Sequence, residues 1–198
     1  GHVDQWACAL SERWLREIKD SVGFLYIDGH VKVYGGQVEL PRRFVSRQRL
    51  CLRGISSYWV NDAIGQPFFV IEKQIDPGLI DVIKNDIVPR LIEEVPGQPS
   101  EEALAADPHL HRFVIVFDRE GYSADFFKHL WDEHRIGCLS YKKNCTDNWG
   151  EEEFNAVNTT TATGEPVEMK LAERGVYLGK ARLLVKVYLR NKFDRIKK

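Results

Sequence analysis

A change of hydrophobic period near residue 75 constrains this chain more than any other feature. Before it, GFLYIDGHVKVYGG over residues 23–36 alternates: Leu25, Ile27, Val31 and Val33 share one parity, and Phe24, Tyr26, Asp28, His30, Lys32 and Tyr34 share the other. Period-2 alternation is strand patterning, and Gly35-Gly36 predicts the turn that ends it. A second strand fits residues 44–60 and a third fits 67–74, with a hairpin connection over Asn61-Asp62-Ala63-Ile64-Gly65 between them. The first third of the chain is therefore expected to be an antiparallel meander.

From residue 76 the period becomes helical. Asp76-Pro77 supplies a cap and a proline for the first helical position, and Leu79, Ile80, Ile83, Ile87 and Leu91 follow at helical spacing. Pro89 inside that stretch predicts a kink or a break between two helices. Residues 95–109 predict a polar, proline-rich connection. The apolar run Phe113 to Phe117 then stops abruptly at Asp118, the pattern of a strand buried on both faces in a parallel sheet. Ser123 caps a helix carrying Phe127, Leu130, Trp131 and His134, and Ile136 to Tyr141 predicts one more strand. A meander followed by strand–helix–strand is a mixed α/β sheet. Trp6, Leu10, Trp14 and Ile18, four residues apart, predict a helix over 4–20. Beyond residue 146 a polar, threonine-rich stretch leads into two expected strands, 167–178 and 182–190. The expected organisation is an N-terminal helix over 1–21, an α/β core over 22–145, and a β-rich insertion with a basic end over 146–198.

Composition removes several classes. A chain of 198 residues, 43% hydrophobic and 29% charged, has ordinary globular values and is neither disordered nor collagen-like. It can bury roughly 70% of its unfolded surface, so folding requires no disulfide or metal staple. Its apolar runs are far shorter than a membrane span. Cys8, Cys51, Cys138 and Cys145 form no CxxC pair, which predicts buried or partly buried thiols in a reducing compartment. The start Gly1-His2 and a sole methionine at 169 predict a piece of a longer protein. The net charge of −1 hides blocks: eight acids against two bases over 76–107, five arginines and no acid over 42–53, and eight bases against one acid over 180–198. Such basic blocks can meet a polyanion despite the neutral total.

Two aspartates stand out. Asp28 interrupts a strand expected to be buried, and Asp118 ends one. Carboxylates in such places are costly unless compensated. Ligands of open α/β sheets gather where parallel strands end. Carboxylates converging there repel unless a divalent cation lies between them. Magnesium and manganese prefer such oxygen ligands.

At these residues the chain resembles a known family. FLYIDGHVKVYGG together with HRFVIVFDREGYSADFFKHLWDEHRIGCLSYKKN looks like an insertion-sequence transposase of the DDE type, over most of residues 22–145. The resemblance implies a ribonuclease-H-like mixed sheet flanked by helices. It implies that Asp28 is the first catalytic acid, on the first strand, and Asp118 the second, at the end of the fourth. Both would be ligands in a two-ion Mg2+ or Mn2+ site performing phosphoryl transfer on DNA, with cleavage at transposon ends and strand transfer into a target. It further implies a homo-oligomer in the full-length protein, no membrane association, and a prokaryotic cytoplasmic setting at the nucleoid. The family's third acid, a glutamate in a helical signature, has no match. Glu151, Glu152 and Glu153 lie in a turn-like acidic run, and Glu173 lies beside a glycine turn. The third acid is therefore expected beyond the chain's end, leaving this piece weak in metal binding and inactive alone. Two rival functions share the pattern: another ribonuclease-H-like metal nuclease, and a non-catalytic DNA-binding or assembly module.

DNA contact has its own signal. Arg47, Arg49 and Arg53 share one parity of the expected second strand, with Arg43 in line, and Lys142 and Lys143 follow the last core strand. A basic stripe fits phosphates, and it equally fits an edge strand protected by charge. His30, two residues after Asp28, fits a packed histidine or one that orients a water or phosphate. His109 and His111 lack zinc partners at usable spacing. Trp149, in a polar stretch, fits loop packing better than base stacking.

Overall fold

The computed structural model describes residues 9, 13, 23–45, 49–74, 78–142, 148–161, 164–180 and 183–190. The chain divides into two compact units, Gly1–Tyr141 and Lys142–Lys198. The helix expected over 4–20 falls outside the described residues but for Ala9 and Arg13, which are helical and exposed. Asp76-Pro77, Arg47, Lys143, Cys8 and Cys145 also fall outside them.

The first unit is a mixed α/β structure. Strand β1 (Phe24–Val33) pairs antiparallel with β3 (Leu50–Asn61), and β3 pairs antiparallel with β4 (Pro67–Gln74) on its other edge. On the far side of β1, β5 (Val114–Phe117) and β6 (Gly137–Ser140) add in parallel. The order is β4–β3–β1–β5–β6, with the short β2 (Arg42–Val45) pairing only the first residues of β3. The β3–β4 connection is held by buried Asp62, whose carboxylate accepts from the backbone N–H groups of Ile64 (3.0 Å) and Gln66 (2.8 Å).

The strand expected over 44–60 is two strands. β2 ends at Val45 and β3 begins at Leu50, and Arg49 just before β3 sits in a turn with a left-handed φ of 52°. Four consecutive polar residues, Ser46 to Arg49, offer a strand no apolar face at that point.

The helices of this unit pack on one sheet face. Leu79–Val82 (α1), a π-helical turn Ile83–Ile87 and Val88–Glu94 (α2) form one continuous run. Pro89 does not break it. Proline removes an N–H and pushes against the preceding turn, and the wider π turn just before it absorbs both effects. The connection expected over 95–109 contains a short helix, α3 (Glu101–Ala106), whose cap Ser100 accepts from the N–H of Ala103. Helix α4 (Ala124–His134) is capped by Ser123, which accepts from the N–H of Phe126. Ile83, Ile87, Leu91 and Leu130 from the helices meet Leu25, Val60 and Ile115 from the sheet in one core, all fully buried. Each such side chain contributes about 1.5–3 kcal/mol through burial.

The opposite sheet face is unevenly covered among the described residues, and most exposed along β1. Phe24, Tyr26 and Leu139 are more than two-fifths exposed, and Val114 and Val116 are half-buried. The expectation of a β5 buried on both faces is thus corrected: Ile115 and Phe117 face the core, and the alternate residues are only partly covered. A continuous apolar run cannot by itself show that its second face is covered.

The second unit is an antiparallel sheet, β7 (Asn155–Thr160), β8 (Pro166–Leu178) and β9 (Leu183–Arg190), in that order. Strands β8 and β9 match the two expected; β7, polar and threonine-rich, carries no alternation and was not foreseen. Among the described residues no helix is long and apolar enough to cross a membrane.

Candidate active site

Asp28 lies on the bare face of β1, in the parity set of Phe24, Tyr26 and His30, with Ile27 beside it in the core. It is 64% exposed, so the expected burial cost does not arise. Its carboxylate lies 3.1 Å from Nε2 of His30, which is 52% exposed and not a packed histidine. Across the antiparallel pair its partner is Trp59. Gly29 follows, and a Cβ there would lie 3.1 Å from the ring of buried Tyr58. Glycine lets β1 pass close over that ring immediately beside Asp28.

Asp118 ends β5 and caps the 3-10 turn Arg119–Gly121, its carboxylate accepting from the N–H of Arg119. It too is exposed. Its backbone carbonyl accepts from the N–H of Gly121 (3.0 Å) and from Oγ of Ser140 on β6 (3.2 Å), which holds the end of β5 from both sides. A Cβ on Gly121 would stand 2.5 Å from the Phe117 ring. The turn can close onto Phe117, and so aim Asp118, only because residue 121 is glycine.

The register joins the two acids. Ile27 is paired with Phe117 across the parallel β1–β5 ladder, so Asp28 and Asp118 are the next residues on neighbouring strands. Neighbouring strands lie about 4.8 Å apart. The same register pairs Phe117 with Ser140, so Tyr141, 77% exposed, is the next residue on the third parallel strand. β1 runs on for six residues, Asp28–Val33, against β3 after its parallel pairing with β5 stops at Ile27. Tyr141 and Ser140 were not singled out from the sequence. Their place beside Asp118 depends on the β5–β6 register, which a four-residue strand does not announce.

Carboxylate oxygens are the donors that hard divalent ions prefer. Among the described residues no group of three or more His, Cys, Asp or Glu side chains gathers. Of the acids weighed for a third position, Glu151 and Glu152 are exposed in the 3-10 turn Glu151–Glu153, while Glu153 and Glu173 have other partners. Glu153 is bonded to the Arg174 guanidinium and accepts from the N–H of Gly150 (2.8 Å), and these hold its carboxyl below the ordinary value. Glu173 lies within β8 rather than beside a turn, 2.7 Å from Lys186, which lowers its pKa in the same way. No thiol stands ready as a nucleophile on β6, where burial pushes Cys138 up to about 12. Cys51, by contrast, is exposed, against the expectation of burial.

The basic residues are arranged differently from the expected stripe. Arg53 is paired with Arg42, and Arg43 with Leu52, so Arg43 and Arg53 take opposite parities. Arg49 precedes β3 in the turn. Lys142 is half-buried. Trp149 is covered by the Arg174 guanidinium at 4.3 Å and by Phe154, as loop packing requires.

With this geometry in place, the comparisons with known proteins are specific in one respect. The model of a family described as "Transposase protein" matches residues 1–195. A solved structure, "Cryo-EM structure of piggyBac transposase synaptic complex with hairpin DNA (SNHP)", aligns with 90% of this chain at 13% identity and a TM-score of 0.39. The chain spans 37% of the length of that piggyBac chain. No curated protein matches.

Proposed function

As the chain belongs to the transposase protein family, whose model it matches over residues 1–195, we propose that residues 22–145 are the ribonuclease-H-like core of a DDE-type transposase, with 146–198 as its β-rich insertion. The observation that carries this reading is the Ile27–Phe117 pairing, which makes Asp28 and Asp118 neighbours at the end of parallel pairing. An antiparallel meander continued by two parallel strands supports the same fold.

Asp28 and Asp118 would hold divalent metal, Mg2+ or Mn2+. When bound, such ions activate a water or a DNA 3′-hydroxyl and stabilise the leaving oxygen. The chain's own residues prepare that chemistry. Ser140 and Gly121 fix the backbone at Asp118, and His30 restrains the Asp28 carboxylate. Arg43, Arg47, Arg49, Arg53, Lys142 and Lys143 supply positive charge for the phosphates of DNA. Glu153 and Glu173 are each engaged by a basic partner, so this reading leaves the third acid unassigned.

The test is a thermal melt with and without Mn2+. The chain should melt higher with the ion, and Asp118→Asn should keep the metal-free melting temperature while losing the increase, since metal binding stabilises only the state that binds. An increase that survives in Asp118→Asn, or none in the parent chain, contradicts the site and favours a non-catalytic DNA-binding module.

A further inference from the structure

The ribbon made by β2 and the start of β3 has features that the metal site does not require. Four residues of each strand pair, from Arg42↔Arg53 to Val45↔Leu50, beyond the last β1 and β4 pairs at Gly54 and Ile55, with one further bond from the Tyr34 N–H to the Arg53 carbonyl (2.9 Å). At about 3.4 Å per residue the paired segment is roughly 10–14 Å long. Most of its described side chains are bare. Phe44 is 60% exposed and Leu50 58%, and Arg42, Arg49 and Cys51 are exposed as well.

Three physical terms work against leaving this ribbon in water. A two-stranded ribbon is marginally stable by itself. Two large apolar side chains near its tip remain hydrated. Arg42 and Arg53 are direct cross-strand partners, where like charges repel. Residues 40–61 contain no acid, and among the described residues no ion pair engages Arg42, Arg49 or Arg53. A partner that relieves all three must carry dense negative charge and accept apolar surface between its own layers. Duplex DNA does both: phosphates neutralise the arginines, and a base step admits an apolar wedge. The ribbon is also of a size that a groove admits.

We propose that the β2–β3 ribbon enters a groove of duplex DNA and that Phe44 and Leu50 wedge a base step open, kinking the duplex. Phe44 and Leu50 belong to neighbouring cross-strand pairs, so they take opposite faces of the ribbon and offer apolar surface to both sides of the groove. The arginines anchor the phosphates on either side. This rests on the DNA contact of the proposed function and gives that contact a geometry and a consequence.

The test uses the full chain and a duplex with dyes at both ends and 2-aminopurine at its centre. The wild-type chain should bend the duplex by roughly 20–90° and raise 2-aminopurine fluorescence through unstacking. Phe44→Ala with Leu50→Ala should abolish both signals. Its affinity should change less than about ten-fold, because a duplex that stays stacked costs nothing to open, which offsets the missing apolar burial. Arg42→Gln with Arg53→Gln should instead weaken binding and flatten the log–log salt slope by about 1.8. Phe44, Leu50 and Arg42 are exposed and Arg53 is half-buried, and circular dichroism will report whether each variant keeps its fold. A wild-type complex that stays straight and stacked, or an unchanged bend in the Phe44/Leu50 variant, overturns the wedge and leaves the DNA contact standing. A change in self-association of that variant with the bend unaltered overturns it too, and makes the tip a protein–protein surface. Absence of any DNA binding by the wild-type chain removes both this inference and the DNA contact beneath it.

Discussion

The two units reach order by different means. In the first, helices cover one face of a mixed sheet, and the core closes around residues such as Leu25, Ile115 and Leu130 with no exposure at all. In the second, Ala172 is the one fully buried hydrophobic side chain among the described residues. Its sheet depends instead on cross-strand pairs and polar clamps: Arg174 over Trp149 and bonded to Glu153, and Lys186 paired with Glu173 across β8 and β9. The difference teaches where each unit is vulnerable. A packed core fails when volume is removed. A clamped sheet fails when charge is removed.

The largest effect expected from this contrast is a cavity. Leu130→Ala should destabilise the first unit by about 2–5 kcal/mol in urea denaturation, while β8 amide resonances keep their own midpoint. A shared midpoint would show that the two units unfold as one, and the contrast would lose its meaning.

Gly121→Ala should come next, at about 1–3 kcal/mol, as overpacking against Phe117 rather than a cavity. It separates stability from site geometry, because the same collision moves the turn that aims Asp118. The variant should lose its Mn2+-induced stabilisation while still folding. Full retention would mean that the turn shifts without disturbing the carboxylate.

The smallest effects are those of pH, and the two units should show them in different windows. His134, on α4, is held below the ordinary histidine value of 6.5, first by burial and then by the neighbouring His129. A lowered folded pKa means the unfolded chain binds the proton better, so first-unit stability is full above 6.5 and declines as pH falls below it. Glu153, in the second unit, is held below the ordinary 4.5, first by its Arg174 hydrogen bond and then by the Gly150 N–H. Its contribution is present above 4.5 and lost as pH falls through the lowered value. Followed by NMR, the first unit should soften in the earlier window and the second in the later. His134→Gln should remove the former and Glu153→Gln the latter. Softening of both units in one window would break the comparison.

How much could be read from the sequence follows the same division. Strand β4, the Ser123 cap and the Phe113–Phe117 run were legible because each combines a strong period with a stop signal. Asp28 and Asp118 stand out in the sequence because each breaks or ends such a run, and the Ile27–Phe117 register makes them neighbours. What was not legible depends on partners distant in the chain. The uneven cover of the second sheet face, the exposure of both aspartates, and the place of Ser140 and Tyr141 beside Asp118 follow from register and helix placement. The opposed Arg42 and Arg53 are hidden by the continuous strand pattern of 44–60, since the antiparallel pairing of β2 with β3 is what brings them face to face. Polar β7 had no alternation to mark it. α3 was hidden by the prolines around it, although Ser100 before Glu101-Glu102 is a start signal.

The central claim, that Asp28 and Asp118 share divalent metal, is tested most directly by crystals grown with Mn2+ and measured for anomalous scattering. The account predicts a manganese peak in contact with carboxylate oxygens of both residues, absent from crystals of Asp118→Asn. A peak bound elsewhere with these two carboxylates turned apart, or none at saturating Mn2+, would contradict it.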